Sequence, residues 1–94
     1  MSSEFRPSGR VVVTGIGLVT ALGTGVEQTW SGICAGENPV GPIESFDVSE
    51  YSTRIAAEVK DFNAEDWMDR KDAKRVDRFI SFAQAGSTMA LKDS

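Results

Sequence analysis

A chain of 94 residues with 40% hydrophobic and 26% charged residues has room for one globular core at most, which excludes a long disordered tail and a membrane-spanning bundle. Net charge is −4, with a single cysteine and no histidine. These counts exclude an internal disulfide, a CxxC redox or zinc motif, and every Ser-His or Cys-His catalytic pair. A lone thiol fits a reducing compartment. No apolar run approaches the roughly 18 residues of a membrane span, and no basic region followed by an apolar one marks a signal peptide, so the expected location is cytoplasmic.

Residues 1–9 (MSSEFRPSG) are polar and carry Pro7 and Gly9, so a flexible lead-in is expected there. Residues 10–17 (RVVVTGIG) form a continuous apolar run with no polar alternation. Stiff, β-branched Val11, Val12 and Val13 favour the extended state, and the pattern predicts an interior strand covered on both faces. Gly15 and Gly17 then allow close backbone approach or a positive φ where that strand ends. A chain this short buries only about 60–65% of its unfolded surface, so an interior strand left bare at its edges points to a piece of something larger.

Thr24-Gly25-Val26-Glu27 reads as a capping box, with the Thr24 hydroxyl accepting from the Glu27 amide and Glu27 reaching back to Thr24. The helix that follows is placed at residues 25–35. Val26, Trp30, Ile33 and Cys34 make its apolar, inward stripe, and Gly36 is its left-handed C-terminal cap. Residues 37–51 hold Asn38-Pro39 and Gly41-Pro42 and read as surface loop. In residues 53–62, Ile55, Ala57 and Val59 alternate with Arg54, Glu58 and Lys60, which predicts a strand with Ile55, Ala57 and Val59 inward. Asn63 starts a short helical turn that buries Trp67 and Met68. From Ala73 onward, Val76, Phe79, Ile80, Ala83, Ala90 and Leu91 keep a helical period, and one long helix is expected to run through Lys92 and Asp93 without a stop signal.

Few residues here carry chemistry. Gly15-Ile16-Gly17 is the start of a dinucleotide fingerprint, but Thr20 stands where the third glycine belongs, so a tight strand exit is preferred. Cys34 on an apolar stripe is read as core packing rather than as a nucleophile. Glu65, Asp66 and Asp69 are read as a solvated face rather than acid-base groups. One cluster stands out: Arg70, Lys71, Lys74, Arg75 and Arg78 lie among Asp69, Asp72 and Asp77. Arg70, Lys74 and Arg78 repeat every four residues, as do Lys71 and Arg75, so like charges face each other on a helix, and they crowd its positive end. Two readings stay open on these grounds, a face salt-bridged through the three aspartates and a docking patch for an acidic partner.

The runs RVVVTGIGLVTALGTGVEQTW, GICAGENPVGPIESFD and AAEVKDFNAEDWMDRKDAKRVDRFISFAQAGSTMALKDS closely resemble the amino-terminal part of the β-ketoacyl-acyl-carrier-protein synthase II family of condensing enzymes. VKDFN, the VExTWxxxxAG helix and the basic stretch before a long helix are specific in combination. The resemblance implies an α/β fold, the amino-terminal portion of a thiolase-like layered α/β/α/β/α fold, with residues 10–94 a ketoacyl synthase segment truncated at its C-terminal end. It implies fatty-acid elongation by decarboxylative Claisen condensation, acyl and malonyl thioester substrates, acyl carrier protein as partner, a homodimer and no cofactor. No nucleic-acid or membrane partner is expected. The family's Cys-His-His centre has no counterpart in this sequence, so no catalytic residue is assigned, and a non-catalytic binding or structural fragment is the alternative function. A nucleotide-binding oxidoreductase lacks the acidic residue its second strand would need. Arg70, Lys71, Lys74 and Arg75 match the family's positions for receiving the acidic carrier protein, which favours the docking reading.

Overall fold

The computed structural model describes residues 9–94, so the expected flexible lead-in falls, Gly9 apart, outside the described residues. Elements follow in the order β1 (Val19–Thr20), β2 (Gly23–Thr24), α1 (Val26–Cys34), β3 (Gly41–Pro42), β4 (Ile55–Ala56), a 3₁₀ turn (Ala64–Asp66), α2 (Arg70–Arg75) and α3 (Arg78–Asp93). The strands form two antiparallel pairs, with Val19 opposite Thr24 and Thr20 opposite Gly23 in one, Gly41 opposite Ala56 and Pro42 opposite Ile55 in the other.

Residues 10–17 do not form the expected interior strand. Among the described residues they have no ladder partner, and Val11 is 88% exposed. A strand is a two-sided hydrogen-bonding arrangement, and propensity alone cannot supply its neighbours. The glycines of this run nevertheless make the close approach expected of them, and they make it to α3. A Cβ on Gly17 would strike the Gly86 carbonyl, and one on Gly15 would strike that of Ala90. The Ile16 amide donates to Asp93 Oδ2 at 3.0 Å, pinning the same crossing.

The β1–β2 hairpin is organised by Thr20. Its hydroxyl bonds the Gly23 carbonyl at 3.1 Å and the Thr29 hydroxyl at 2.9 Å, and accepts from the Leu22 amide at 3.2 Å. Helix α1 falls within the expected bounds, and Gly36, at φ 70°, provides the left-handed cap. Its start differs from the predicted capping box. Thr24 is held in β2, Gly25 at φ 102° is the N-cap without a side-chain bond, and Gln28 Oε1 accepts from the Thr24 amide at 3.0 Å. Pairing with β1 keeps Thr24 from swinging into the cap, so the residue a turn later serves that amide instead.

The inward stripe of α1 is also corrected. Val26, Trp30 and Ile33 are 43%, 63% and 54% exposed, Cys34 is exposed, and the buried residues are Thr29 and Gly32. Among the described residues the hairpin packs on this helix, and it meets the small-residue face, with Leu22 over Gly32 and Thr20 bonded to Thr29.

The strand expected over residues 53–62 shortens to Ile55–Ala56, extended by one bond from the Ile43 amide to the Arg54 carbonyl. Val59 is half-buried as expected, but Ile55 and Ala57 are exposed and Ala56 and Glu58 are half-buried. The Glu58 carboxylate folds back to accept from the Glu44 and Ser45 amides at 2.9 and 3.3 Å, which draws this polar side chain towards the loop. Residues 37–51 are otherwise loop, apart from β3.

The long carboxy-terminal helix is broken. Val76 (φ −104°, ψ 151°) and Asp77 (φ −72°, ψ 159°) are extended, separating α2 from α3. The Asp77 carbonyl accepts from the Ile80 and Ser81 amides, the position that aspartate favours at a helix start. An apolar periodicity running straight through Val76 conceals that break. Among the described residues, Ala85 at 0% exposure is the buried hydrophobic core, and Ser81 on α3 and Thr29 on α1 are the buried polar residues. The radius of gyration is 17.4 Å, against about 12 Å for a compact domain of this length.

Candidate functional site

The basic stretch is presented on a loop whose ends are pinned. Asn63 Oδ1 accepts from the Glu65 amide at 3.1 Å and starts the 3₁₀ turn, as the sequence predicts. Trp67 and Met68 are half-buried, and their amides both donate to the Ala64 carbonyl. Asp69 is extended and turns the chain into α2, where its carbonyl accepts from the Ala73 amide.

Within α2 only Ala73 is half-buried, and Arg70, Lys71, Asp72, Lys74 and Arg75 are all exposed. Lys74 and Arg75 occupy the last turn, where the helix dipole favours positive charge. The expectation that the cations crowd a positive helix end holds for Arg70 and Lys71, in the first turn of α2, and for Arg78, at the start of α3, and it fails for Lys74 and Arg75 because α2 ends at Arg75. Arg78 falls on α3, and the four-residue repeat from Arg70 to Arg78 is interrupted by the extended pair.

The salt-bridged face is not formed among the described residues. Arg70 Nε lies 3.5 Å from Glu65 Oε1, and among the described residues no acidic group lies within 4.0 Å of Lys71, Lys74 or Arg75. Asp69 and Asp72 instead line a cleft with Trp67, Met68, Val76 and Ile80. The site therefore brings together Arg70, Lys71, Lys74 and Arg75 on one short exposed helix, with Arg70 alone partnered by a carboxylate.

The other weighed residues stand apart from this surface. Gly15 and Gly17 abut the backbone of α3, so the fingerprint glycines serve packing. Cys34 is exposed at the end of α1, rather than inward. Glu65 carries the ion pair to Arg70, and Asp66 and Asp69 are exposed. Sequence reading missed two polar ties outside α2: Glu58 on the Glu44 and Ser45 amides, and Lys60 Nζ with Glu44 Oε2 at 2.6 Å. The alternation of residues 54–60 presents both side chains as solvated, and nothing local marks their partners more than ten residues away.

The model of the beta-ketoacyl synthase N-terminal domain matches residues 8–94. The chain belongs to the β-ketoacyl synthase family, in its amino-terminal domain. It is 47% identical over 85 residues to a 3-oxoacyl-[acyl-carrier-protein] synthase 2 of Synechocystis sp., 44% to that of Vibrio cholerae and 40% to that of Staphylococcus aureus. In each case the match covers 90% of this chain and 20% of the relative. The β-ketoacyl synthase segment is likewise similar in structure to the ishigamide ketosynthase/chain length factor, with TM-score 0.73 and 34% identity over 87% of this chain and 20% of that one. Its fold is thus α/β, the amino-terminal part of a thiolase-like fold, and it spans about a fifth of the length of these relatives. No helix among the described residues is long and apolar enough to cross a membrane.

Proposed function

We propose that this β-ketoacyl synthase segment is the amino-terminal part of a cytoplasmic, homodimeric 3-oxoacyl-[acyl-carrier-protein] synthase II, and that α2 is where that enzyme receives the acidic carrier protein. In the condensation, an acyl group passes from carrier protein to a cysteine thiolate. Malonyl-carrier protein then loses CO₂, and the resulting carbanion attacks the acyl thioester, forming the new C–C bond and releasing the thiolate. The Cys-His-His residues of that chemistry belong to chain outside these 94 residues. The task of this segment is encounter.

The observation that carries the reading is a six-residue helix with four exposed cations, three of them without a carboxylate within 4.0 Å among the described residues, on a chain of net charge −4. Arg70 faces Lys74, and Lys71 faces Arg75, at the i, i+4 spacing where like charges cost about 0.2–0.5 kcal/mol per pair. A negatively charged partner converts that repulsion into attraction. Surface charges of this kind act chiefly on encounter rate and are screened over about 8 Å at physiological ionic strength.

The test is the Lys71→Glu/Lys74→Glu double change in the intact enzyme. It should raise KM for acyl-carrier protein about tenfold at low salt, while turnover of a small acyl thioester stays near wild type. Wild-type preference for the carrier-bound substrate should weaken as salt is raised. A double variant that used carrier protein as well as wild type at low salt would remove α2 from the docking surface. The isolated 94-residue chain, given acyl- and malonyl-carrier proteins, should release no CO₂ above blank.

A further inference from the structure

We propose that Arg78, the fifth cation of the basic stretch, is the clasp that positions the docking helix and is not itself a docking charge. In sequence it continues the spacing of Arg70 and Lys74, but the fold gives its guanidinium internal partners. Arg78 Nη2 donates to the Val59 carbonyl at 3.1 Å, and the guanidinium carbon sits 5.0 Å from the centroid of the Phe82 ring. Phe82 in turn meets Phe62 edge-on, with centroids 5.0 Å apart. One edge of the planar group is therefore spent on a carbonyl and one face on a ring, a combination that an ammonium cannot reproduce.

The place of this contact explains its importance. Val59 and Arg78 are 19 residues apart, and everything between them is the loop that carries the 3₁₀ turn and α2. Helix α2 has six residues, far fewer than an isolated helix needs in water, and it contributes only Ala73 as a half-buried side chain. Its own packing cannot fix its direction. Trp67 and Met68 anchor the approach, and Arg78 closes the far side by tying the start of α3 to Val59, three residues past β4.

The experiment compares Arg78→Lys, Arg78→Gln and Phe82→Leu in the intact enzyme, with kcat on a small acyl thioester certifying a folded active enzyme. Two readouts are taken. Limited trypsin digestion, with cleavage after Lys71, Lys74 and Arg75 followed by mass spectrometry, reports how firmly the loop is held. KM for acyl-carrier protein reports its presentation, and only this second readout rests on the docking reading. All three variants should be cut at least tenfold faster within α2 than wild type and should raise carrier KM three- to tenfold, with Arg78→Lys failing to rescue although it keeps the charge.

Wild-type proteolysis and KM in Arg78→Lys would overturn the clasp. So would an Arg78→Gln variant that weakened the salt dependence of KM while its α2 stayed as resistant as wild type, because that is the behaviour of a contact charge. If the Lys71→Glu/Lys74→Glu enzyme uses carrier protein normally while the Arg78 and Phe82 variants are still cut faster, docking fails and the clasp stands.

Discussion

Two regions of this molecule are held together in opposite ways. Where residues 15–17 cross α3, backbone meets backbone: glycines on one side, Gly86 and Ala90 on the other, and one charged group, Asp93, binding an amide. In the loop from Val59 to Arg78 the contacts are made by side chains, Phe62 against Phe82 and Arg78 on the Val59 carbonyl, and α2 is charged over nearly its whole surface. At the crossing, residue identity is dictated by available space. On α2 space is plentiful, and identity is left to charge. Changes at the first region should therefore move stability and changes at the second should move binding.

The strongest test of that division is Gly17→Ala in the intact enzyme. The added methyl meets a helix carbonyl that cannot rotate away, so a loss of about 3 kcal/mol is expected in urea unfolding, at the upper end for overpacking. Gly41→Ala is the control: its Cβ has nothing within 4 Å, and stability should stay within about 0.5 kcal/mol. Equal behaviour of the two would mean that the crossing is not tight. Next in size is Thr20→Val, which strips three hydrogen bonds from the hairpin and leaves the buried Thr29 hydroxyl without its partner, at about 1–2 kcal/mol.

The start of α1 sharpens the comparison, because an amide there is served by a side chain rather than by packing. Gln28→Ala should cost about 1 kcal/mol, whereas Thr24→Ala and Glu27→Ala should stay within about 0.5 kcal/mol, since neither side chain caps the helix. The reverse ranking would restore the capping box. Glu58 offers a pH test of a second polar tie. The Ser45 side chain and the Glu44 amide, foremost among its donors, hold its carboxyl below the usual glutamate range. A depressed folded pKa means that its contribution is present above the unfolded value of about 4.3 and is lost as pH falls through the folded one. Amide exchange at Glu44 and Ser45 should accelerate over that acidic window in wild type, and Glu58→Gln should flatten the dependence.

The smallest effect is expected on α2 itself. Lys71→Gln/Lys74→Gln should leave thermal stability within about 0.5 kcal/mol of wild type, or raise it slightly by relieving like-charge pairs. A large loss would show that these lysines hold the fold, and the contrast with the glycine crossing would collapse.

The sequence by itself determined what is written within a few residues: the bounds of α1, the left-handed cap at Gly36, the turn started by Asn63, the need for glycine at positions 15 and 17, and the concentration of cations at residues 70–75. Caps, positive φ and local charge spacing depend on neighbours three or four positions away, so one strand of text suffices to read them. Its family motifs are of the same kind. Tertiary structure alone decided which face of α1 is covered, that Gln28 rather than Glu27 serves Thr24, that the basic stretch ends in an extended pair at Val76 and Asp77, and that Arg78 turns away from its four-residue repeat to reach Val59. The covered face of α1 and the Arg78 contact are settled by partners supplied from elsewhere in the fold, and pairing with β1 leaves the Thr24 amide to Gln28. A side chain's periodicity records only that it can be buried or bonded, whereas the surface it meets is fixed by where the rest of the chain passes.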